Sequence, residues 1–355
     1  MSREELLNFL KDTASQVVVL LEKEIDQLKV TDVAFKEAVL SYFRRPAKMM
    51  RPGALLLACG ALGGEPSKAL RIAAGLETHH VFTLVHDDIM DRSEERRGDA
   101  TLHKLFEGEA RELGVPVSFQ SFFGQNMAIL AGDLQGSWGV YLFLSAAEKN
   151  EVSFELVSRL LSHFERVTLC RIIEGQVLDL RFEHYPLDQI SREEILRMVS
   201  FKTAELFRFA GFAGAILALN KWQPDHPQVS ALADFCFGVG MGFQIYDDLS
   251  DLLEEDSASD IRSGKRTLLS WHIYSQASDK DKELFDRILG KADASPREIE
   301  EVRARFKVLG VEQYAKERVD SYVDNAKQGL VALPDSAYKQ LLYDWADFAR
   351  SHREA

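Results

Sequence analysis

The sequence is short of positive charge, cysteine and proline, and each shortage narrows what it can encode. Its 355 residues carry 56 Asp and Glu against 43 Lys and Arg, a formal charge of −13. That balance argues against nucleic acid as a partner, because phosphate backbones select basic surfaces. It does not exclude a small phosphorylated ligand, since local arginines and bound cations can reverse the sign of one site. The three cysteines, Cys59, Cys170 and Cys236, lie in apolar stretches with no CxxC spacing. They read as small buried hydrophobes rather than zinc ligands or a disulfide frame. No apolar run reaches the length needed to span a bilayer. The opening MSREELLNFLKDTASQ is amphipathic but too acidic for a signal or transit peptide. These absences predict a cytoplasmic protein with no stable membrane insertion.

Only nine prolines punctuate the chain, and there is none between Pro116 and Pro186 or between Pro227 and Pro296. Those stretches repeat apolar residues at spacings of three and four, which is helical periodicity, and convincing strand alternation is missing. SREE at 191–194 and SPRE at 295–298 are capping-box patterns that predict helix starts. GALLLACGALGG (53–64) and FRFAGFAGAILALN (207–220) are apolar almost all round, as in helices packed inside a bundle. With 46% hydrophobic and 28% charged residues the chain can bury a large core. The expectation is an all-α protein of roughly a dozen helices. No linker or low-complexity segment divides it, so residues 1–355 read as a single domain, with EGEARELGVPVSF (107–119) as an exposed, inserted loop.

Against that background two acidic clusters stand out. LVHDDIMDRSEERRG (84–98) ends an apolar run in Asp87, Asp88 and Asp91. On a helix, positions i and i+4 share a face and i+1 lies about 100° round. Three carboxylates within one turn repel one another unless a cation or protons intervene. Hard oxygen ligands on one face suit Mg²⁺, which keeps several waters and borrows further ligands from phosphates. A single such triplet is more simply read as a solvated helix end. The pattern recurs, however, in FQIYDDLSD (243–251), where Asp247, Asp248 and Asp251 again follow an apolar lead. Two triplets ending two buried-type helices match the way carboxylate sites are built in helical bundles.

Basic residues gather near these motifs. Arg96 and Arg97 follow the first, Lys265 follows the second, Lys202 lies in FKTAELF, and Lys48 and Arg51 sit i, i+3 at the start of the third predicted helix. Any one of them alone reads as a surface charge. Guanidinium and ammonium groups are the usual partners of phosphate oxygens, and helix N-termini also favour anions. Spacing and charge therefore point to a magnesium–phosphate site.

The chain resembles the trans-isoprenyl diphosphate synthases, the short-chain polyprenyl synthetases that make farnesyl and geranylgeranyl diphosphate. The matching stretches are KMMRP, ETHHVFTLVHDDIMDRSEERRGDATLH, AILAGDL, EGQVLDL, FKTAELF, GFQIYDD and SDIRSGKRTLL, in the family's order from about residue 45 to 270. The resemblance implies a helical bundle around a central prenyl cavity, the isoprenoid synthase fold, and a homodimer. Asp87, Asp88, Asp91, Asp247, Asp248 and Asp251 would be metal ligands, holding about three Mg²⁺ on the diphosphate of an allylic substrate. Arg96, Lys202 and Lys265 would hold that diphosphate, with Thr203 and Gln244 lining its cavity; Lys202, Thr203 and Gln244 would act in catalysis. Lys48, Arg51, His80 and Arg97 would bind isopentenyl diphosphate, although a lone helical histidine is more often a core residue.

The implied reaction is ionisation of the allylic diphosphate and head-to-tail condensation. Electrostatic stabilisation of the leaving group drives it, in a dry pocket that keeps water from the cation. Phe82 and Thr83, five and four residues before Asp87, lie about 6 to 7.5 Å below the metal site at helical rise. An aromatic five positions before the motif resembles synthases that stop at C20, so geranylgeranyl diphosphate is expected, with farnesyl diphosphate next. Three departures from the family pattern stand out. Pro46 and Ala47 replace two glycines before Lys48. Segment 252–264 is several residues short and lacks a GKP-type lysine, a role open to Arg262 or Arg266. The third is the loop at 107–119. Two other readings are a class I terpene cyclase and a non-catalytic partner subunit. The isopentenyl-site cations Lys48, Arg51 and Arg97 argue against the first, and two complete triplets argue against the second.

Overall fold

The computed structural model describes residues 3–253 and 259–350, and among them helices dominate as the periodicity predicts. The first stripe shows why. Leu6, Leu10, Thr13, Val17 and Leu21 recur every three or four residues and are the buried face of α1 (Arg3–Glu24). The Asp32 carboxylate accepts the Phe35 N–H at 3.0 Å and caps α2 (Val33–Arg44). Almost every side chain of α3 (Met50–Ala61) is buried, as its all-round apolar sequence requires. Pro66 starts α4 (Pro66–Met90), where a missing N–H costs nothing. A two-stranded hairpin, β1 (Glu95–Arg96) and β2 (Asp99–Ala100), leads to α5 (Leu102–Glu112), α6 (Val117–Glu148) and α7 (Phe154–His163).

The chain continues through α8 (Cys170–Phe182), α9 (Arg192–Val199), α10 (Glu205–Leu219) and α11 (Pro227–Leu253). After them come α12 (Ser259–Ser263), α13 (Leu268–Gln276), α14 (Asp279–Ile288), α15 (Pro296–Val308), α16 (Val311–Gly329) and α17 (Ala337–Arg350). Both expected capping boxes are present: Ser191 with Glu194 opens α9 and Ser295 with Glu298 opens α15. Helices are more numerous than the dozen expected because short ones such as α12 carry too little periodicity to be seen in sequence.

Three expectations are corrected. Residues 107–119 are no loop: they are the second half of α5, a four-residue turn and the start of α6. Gly114 turns the chain at φ +73°. The expected exposure does hold at residues 111–114 and 116–119, while Ala110 is buried. Cys170 is exposed, unlike Cys59 and Cys236. Helix α11 is long and apolar enough by composition to cross a membrane, yet 61% of its most apolar window is buried inside the protein, as in a core helix.

The chain divides into two compact units, Met1–Leu161 with Ile216–Trp222, and Ser162–Ala215 with Gln223–Ala355. In the first, Val39, Phe43, Val81, Val85, Phe106 and Trp138 share one core, and the Phe43 and Trp138 rings meet edge-on at 5.9 Å. In the second, Trp345 lies 5.9 Å from both Phe207 and Phe235. Each fully buried ring or aliphatic side chain of this kind stabilises by about 1.5–3 kcal/mol.

Candidate active site

The first triplet lies where α4 ends: Asp91 caps the helix and its N–H donates to the Asp87 carbonyl at 2.8 Å. Asp87 and Asp91 therefore share a face, both half-buried, as the spacing predicted. Asp88, expected as a third metal ligand, is oriented differently from the other two. It is 1% exposed and turned inward, and both its oxygens are already used. The Tyr42 hydroxyl donates to Oδ2 at 2.6 Å, while Nε and Nη2 of Arg96 each lie 2.6 Å from Oδ1. The Leu102 N–H in turn donates to the Tyr42 oxygen at 3.2 Å. Burial and the neighbouring Asp88 charge push the Tyr42 phenol well up, so it remains a donor.

The residues expected around isopentenyl diphosphate are all in this unit. Arg51 lies on the first turn of α3, and its Nη1 donates to His80 Nε2 at 2.9 Å, which fixes that nitrogen as an acceptor. Burial first, then the charges of Arg51, Arg97 and Arg96, push the His80 imidazole far below its ordinary range, so it is neutral. Lys48 is exposed in the loop before α3, and Arg97 is exposed in the hairpin turn at φ 56°. Glu77 on α4, absent from the sequence reading, is 3% exposed. Burial raises its carboxyl and outweighs the downward pull of Arg51 and Arg97 beside it.

The second triplet closes α11 in the same manner. Asp248 is again the inward member, 8% exposed, and Asp247 and Asp251 are half-buried. Its Oδ1 accepts from Gln244 Nε2 at 2.8 Å, and Gln244 Oε1 accepts from the Thr203 hydroxyl at 2.7 Å. This chain brings two expected residues together and fixes which way the Gln244 amide points. Burial, Asp260, Asp247 and Asp251 push the Asp248 carboxyl well up, and burial with Asp251 raises Asp260 to about 7.

Lys202 and Thr203 lie in a π-helical segment, Ser200–Ala204, inserted between α9 and α10. Such bulges redirect side chains and recur at functional sites. Gly175 of α8 lets this segment approach: a Cβ there would fall 2.3 Å from the Lys202 nitrogen. One turn further along α8, Asp179 receives Lys202 Nζ at 2.6 Å and Lys265 Nζ at 2.9 Å on the same oxygen. Burial raises this carboxyl, but the two lysines outweigh it and hold it below its ordinary value. Glu183 lies 3.4 Å from Lys265. The two proposed substitutes for the absent GKP-type lysine bond to backbone carbonyls, although Arg266 also feels the charge of Glu183. Arg262 reaches the Ala294 carbonyl at 3.5 Å and Arg266 donates to the Tyr185 carbonyl at 3.1 Å. Residues 254–258 of the shortened segment lie outside the described residues.

The donor set fits a divalent cation of the hard type. Each triplet sits at the negative end of a long helix, where added acid is unfavourable, and in the second the inward Asp248 carboxyl is driven upward. Among the described residues no three His, Cys, Asp or Glu side chains gather closely enough to hold a metal unaided. A Mg²⁺ would complete its shell with water and phosphate oxygens, which is its habit.

Ring packing places the expected chain-length residues. Phe82 meets His86 edge-on at 4.8 Å and faces Gly136 of α6, whose missing Cβ would lie 3.5 Å from the ring. The Thr83 hydroxyl is bonded to the His80 carbonyl at 2.7 Å.

Known proteins share this arrangement. Residues 32–306 match the polyprenyl synthetase family model. A short chain isoprenyl diphosphate synthase of Methanothermobacter thermautotrophicus is 36% identical over 311 residues, 85% of each chain. A geranylfarnesyl diphosphate synthase of Natronomonas pharaonis is 32% identical over 323 residues, 85% of each. The geranylgeranyl pyrophosphate synthetase of Pyrococcus horikoshii superposes with a TM-score of 0.82 at 31% identity, covering 98% of both chains. Motif order, all-α architecture and similarity along nearly the whole chain agree: this protein belongs to the polyprenyl synthetase family of trans-prenyltransferases.

Proposed function

We propose that the chain condenses isopentenyl diphosphate head-to-tail with an allylic diphosphate to give a short-chain prenyl diphosphate, most simply C20. The carrying observation is that each unit ends a long helix in an acidic triplet and holds its own basic group: Arg96 on Asp88 in the first, Lys202 and Lys265 on Asp179 in the second. Bound Mg²⁺, the family's metal, would neutralise the departing diphosphate. Asp87 and Asp91 in the first unit, and Asp247 and Asp251 in the second, would each offer it oxygen ligands. Asp88 orients Arg96, and Asp248 orients Gln244. Arg96 in the first unit, and Lys202 and Lys265 in the second, are the cations for the allylic diphosphate, and Asp179 aims the two lysines. Lys48, Arg51 and Arg97 hold the isopentenyl diphosphate, with His80 steering Arg51.

Phe82 supports C20 as the length limit. Gly136 beside it leaves that ring little hindered, which favours C25 as the second reading, the length its geranylfarnesyl relative is named for. The single-domain reading is supported by a family match running through both units. A homodimer is supported by exposed apolar side chains at the α5–α6 turn and along α6, among them Val117 (83%), Leu113 (64%) and Phe122 (61%).

Purified protein with Mg²⁺ and labelled isopentenyl diphosphate should elongate dimethylallyl, geranyl and farnesyl starters, with products read by chain length. No incorporation with any starter would favour a silent partner subunit, and a hydrocarbon from one allylic substrate would favour a cyclase. Phe82→Ala should lengthen the product, and unchanged chains would remove Phe82 as the pocket floor.

A further inference from the structure

Arg45 ends α2 immediately before the Pro46–Ala47 step that replaces the family's glycines, and its side chain is only 6% exposed. A buried guanidinium ordinarily meets a carboxylate, because desolvation is costly. Here the nearest, Asp99, is 3.9 Å away and itself exposed. The guanidinium instead donates to two backbone carbonyls, Nη1 to Arg96 at 3.1 Å and Nη2 to Ala100 at 2.7 Å. Its carbon lies 4.2 Å from the centre of the Tyr42 ring, whose hydroxyl holds Asp88.

Those two carbonyls belong to opposite strands of the hairpin that carries Arg96 and Arg97. The hairpin pairs only Glu95 with Ala100 and Arg96 with Asp99, around a turn in which Arg97 and Gly98 both have positive φ, 56° and 81°. A ribbon this short is marginal by itself, and a side chain larger than glycine at positive φ adds strain. The hairpin thus needs an external fastening, and one planar fork supplies it across both strands. The same fork stacks on the residue that fixes Asp88, so the hairpin and the end of α4 share one support.

We propose that Arg45 is a positioning residue for diphosphate binding: it clamps the 95–100 hairpin and so sets where Arg96 and Arg97 present their charges. This rests on the reading of those two arginines as diphosphate ligands. Lysine cannot replace it, since one ammonium lacks the fork that spans two carbonyls.

The test compares wild type with Arg45→Ala and Arg45→Lys, well below their melting temperatures. Inorganic diphosphate, titrated by calorimetry without metal, reads the anion site independently of turnover. Arg45→Ala should weaken diphosphate about tenfold and raise the isopentenyl diphosphate KM by a similar factor, with kcat changing less. Millimolar guanidinium should restore much of both, and Arg45→Lys should behave like the alanine variant. A lower Tm with unchanged diphosphate affinity and KM overturns the proposal, because Arg45 is then only a structural tie. If wild type binds diphosphate but makes no prenyl product, the functional reading fails while the affinity ratio still decides the clamp.

Discussion

Asp88 and Asp248 are the middle residues of matching triplets, and both point into the protein. Asp88 meets a guanidinium and a phenol; Asp248 meets an amide and feels three further carboxylates. Equal spacing has therefore produced two electrically different helix ends. In the first unit the acid is satisfied before any ligand arrives, and Arg96 is held by it. In the second, both lysines meet Asp179, and the middle acid is crowded by Asp260, Asp247 and Asp251. The first end is built as a scaffold for arginines. The second crowds its own middle acid.

The strongest way to break this contrast is to remove the two middle acids separately. Asp88→Ala strips Arg96 and Tyr42 of their shared partner and should cost about 3 kcal/mol of stability, since one member of a buried pair is removed. Its kcat/KM should fall about 100-fold as Arg96 loses its position. Asp248→Asn keeps the Gln244 contact but deletes a charge that its surroundings oppose. Without metal its Tm should rise, while activity with Mg²⁺ falls. Thermal melts of both variants decide the matter, and a Tm drop for both would end the distinction.

A smaller effect tests how the second unit aims its lysines. Gly175→Ala would place a Cβ 2.3 Å from the Lys202 backbone, so α8 or the π segment must shift. Overpacking of this kind should cost about 2 kcal/mol. Because Asp179 rides on the same helix one turn away, the allylic KM should rise more than the isopentenyl KM. Equal changes in both would mean that α8 does not set the lysines.

Much of this was legible in sequence, and the rest was not for definable reasons. Helix starts at Ser191 and Ser295 are local events with fixed spacing, so they read correctly. The triplets could be placed on helix ends because i, i+4 geometry is local too. Periodicity assigns a face but not what covers it. Tyr42 lies 46 residues from Asp88, Arg45 lies 51 from Arg96, and Lys265 lies 86 from Asp179. No spacing rule reaches that far. Residues 107–119 misled for the opposite reason: they read as an insertion in the family pattern, while the buried pair Phe106 and Ala110 carried the helical signal.

Asp281 offers the mildest test, and a control within the second unit. It is bound by a two-pronged fork, Arg305 Nε at 2.6 Å and Nη2 at 2.7 Å, as Asp248 is not. The Arg305 hydrogen bond, then that of Ser278, holds its carboxyl at about 2, below its ordinary value. The folded state therefore binds this proton less readily than the unfolded chain. Its stabilisation is fully present above the unfolded carboxylate range near pH ~3.9 and is lost as the pH falls through about 2. Burial and like charges shift Asp248 the other way, so its penalty shrinks on acidification. Asp281→Asn should lower Tm slightly at pH 7 and flatten the loss of stability between about pH 4 and 2. Asp248→Asn should instead remove a gain that develops above pH ~3.9, as the pH falls from neutrality. Melting curves from about pH 7 to 2, parallel for the two variants, would show that fork and crowding are not the difference.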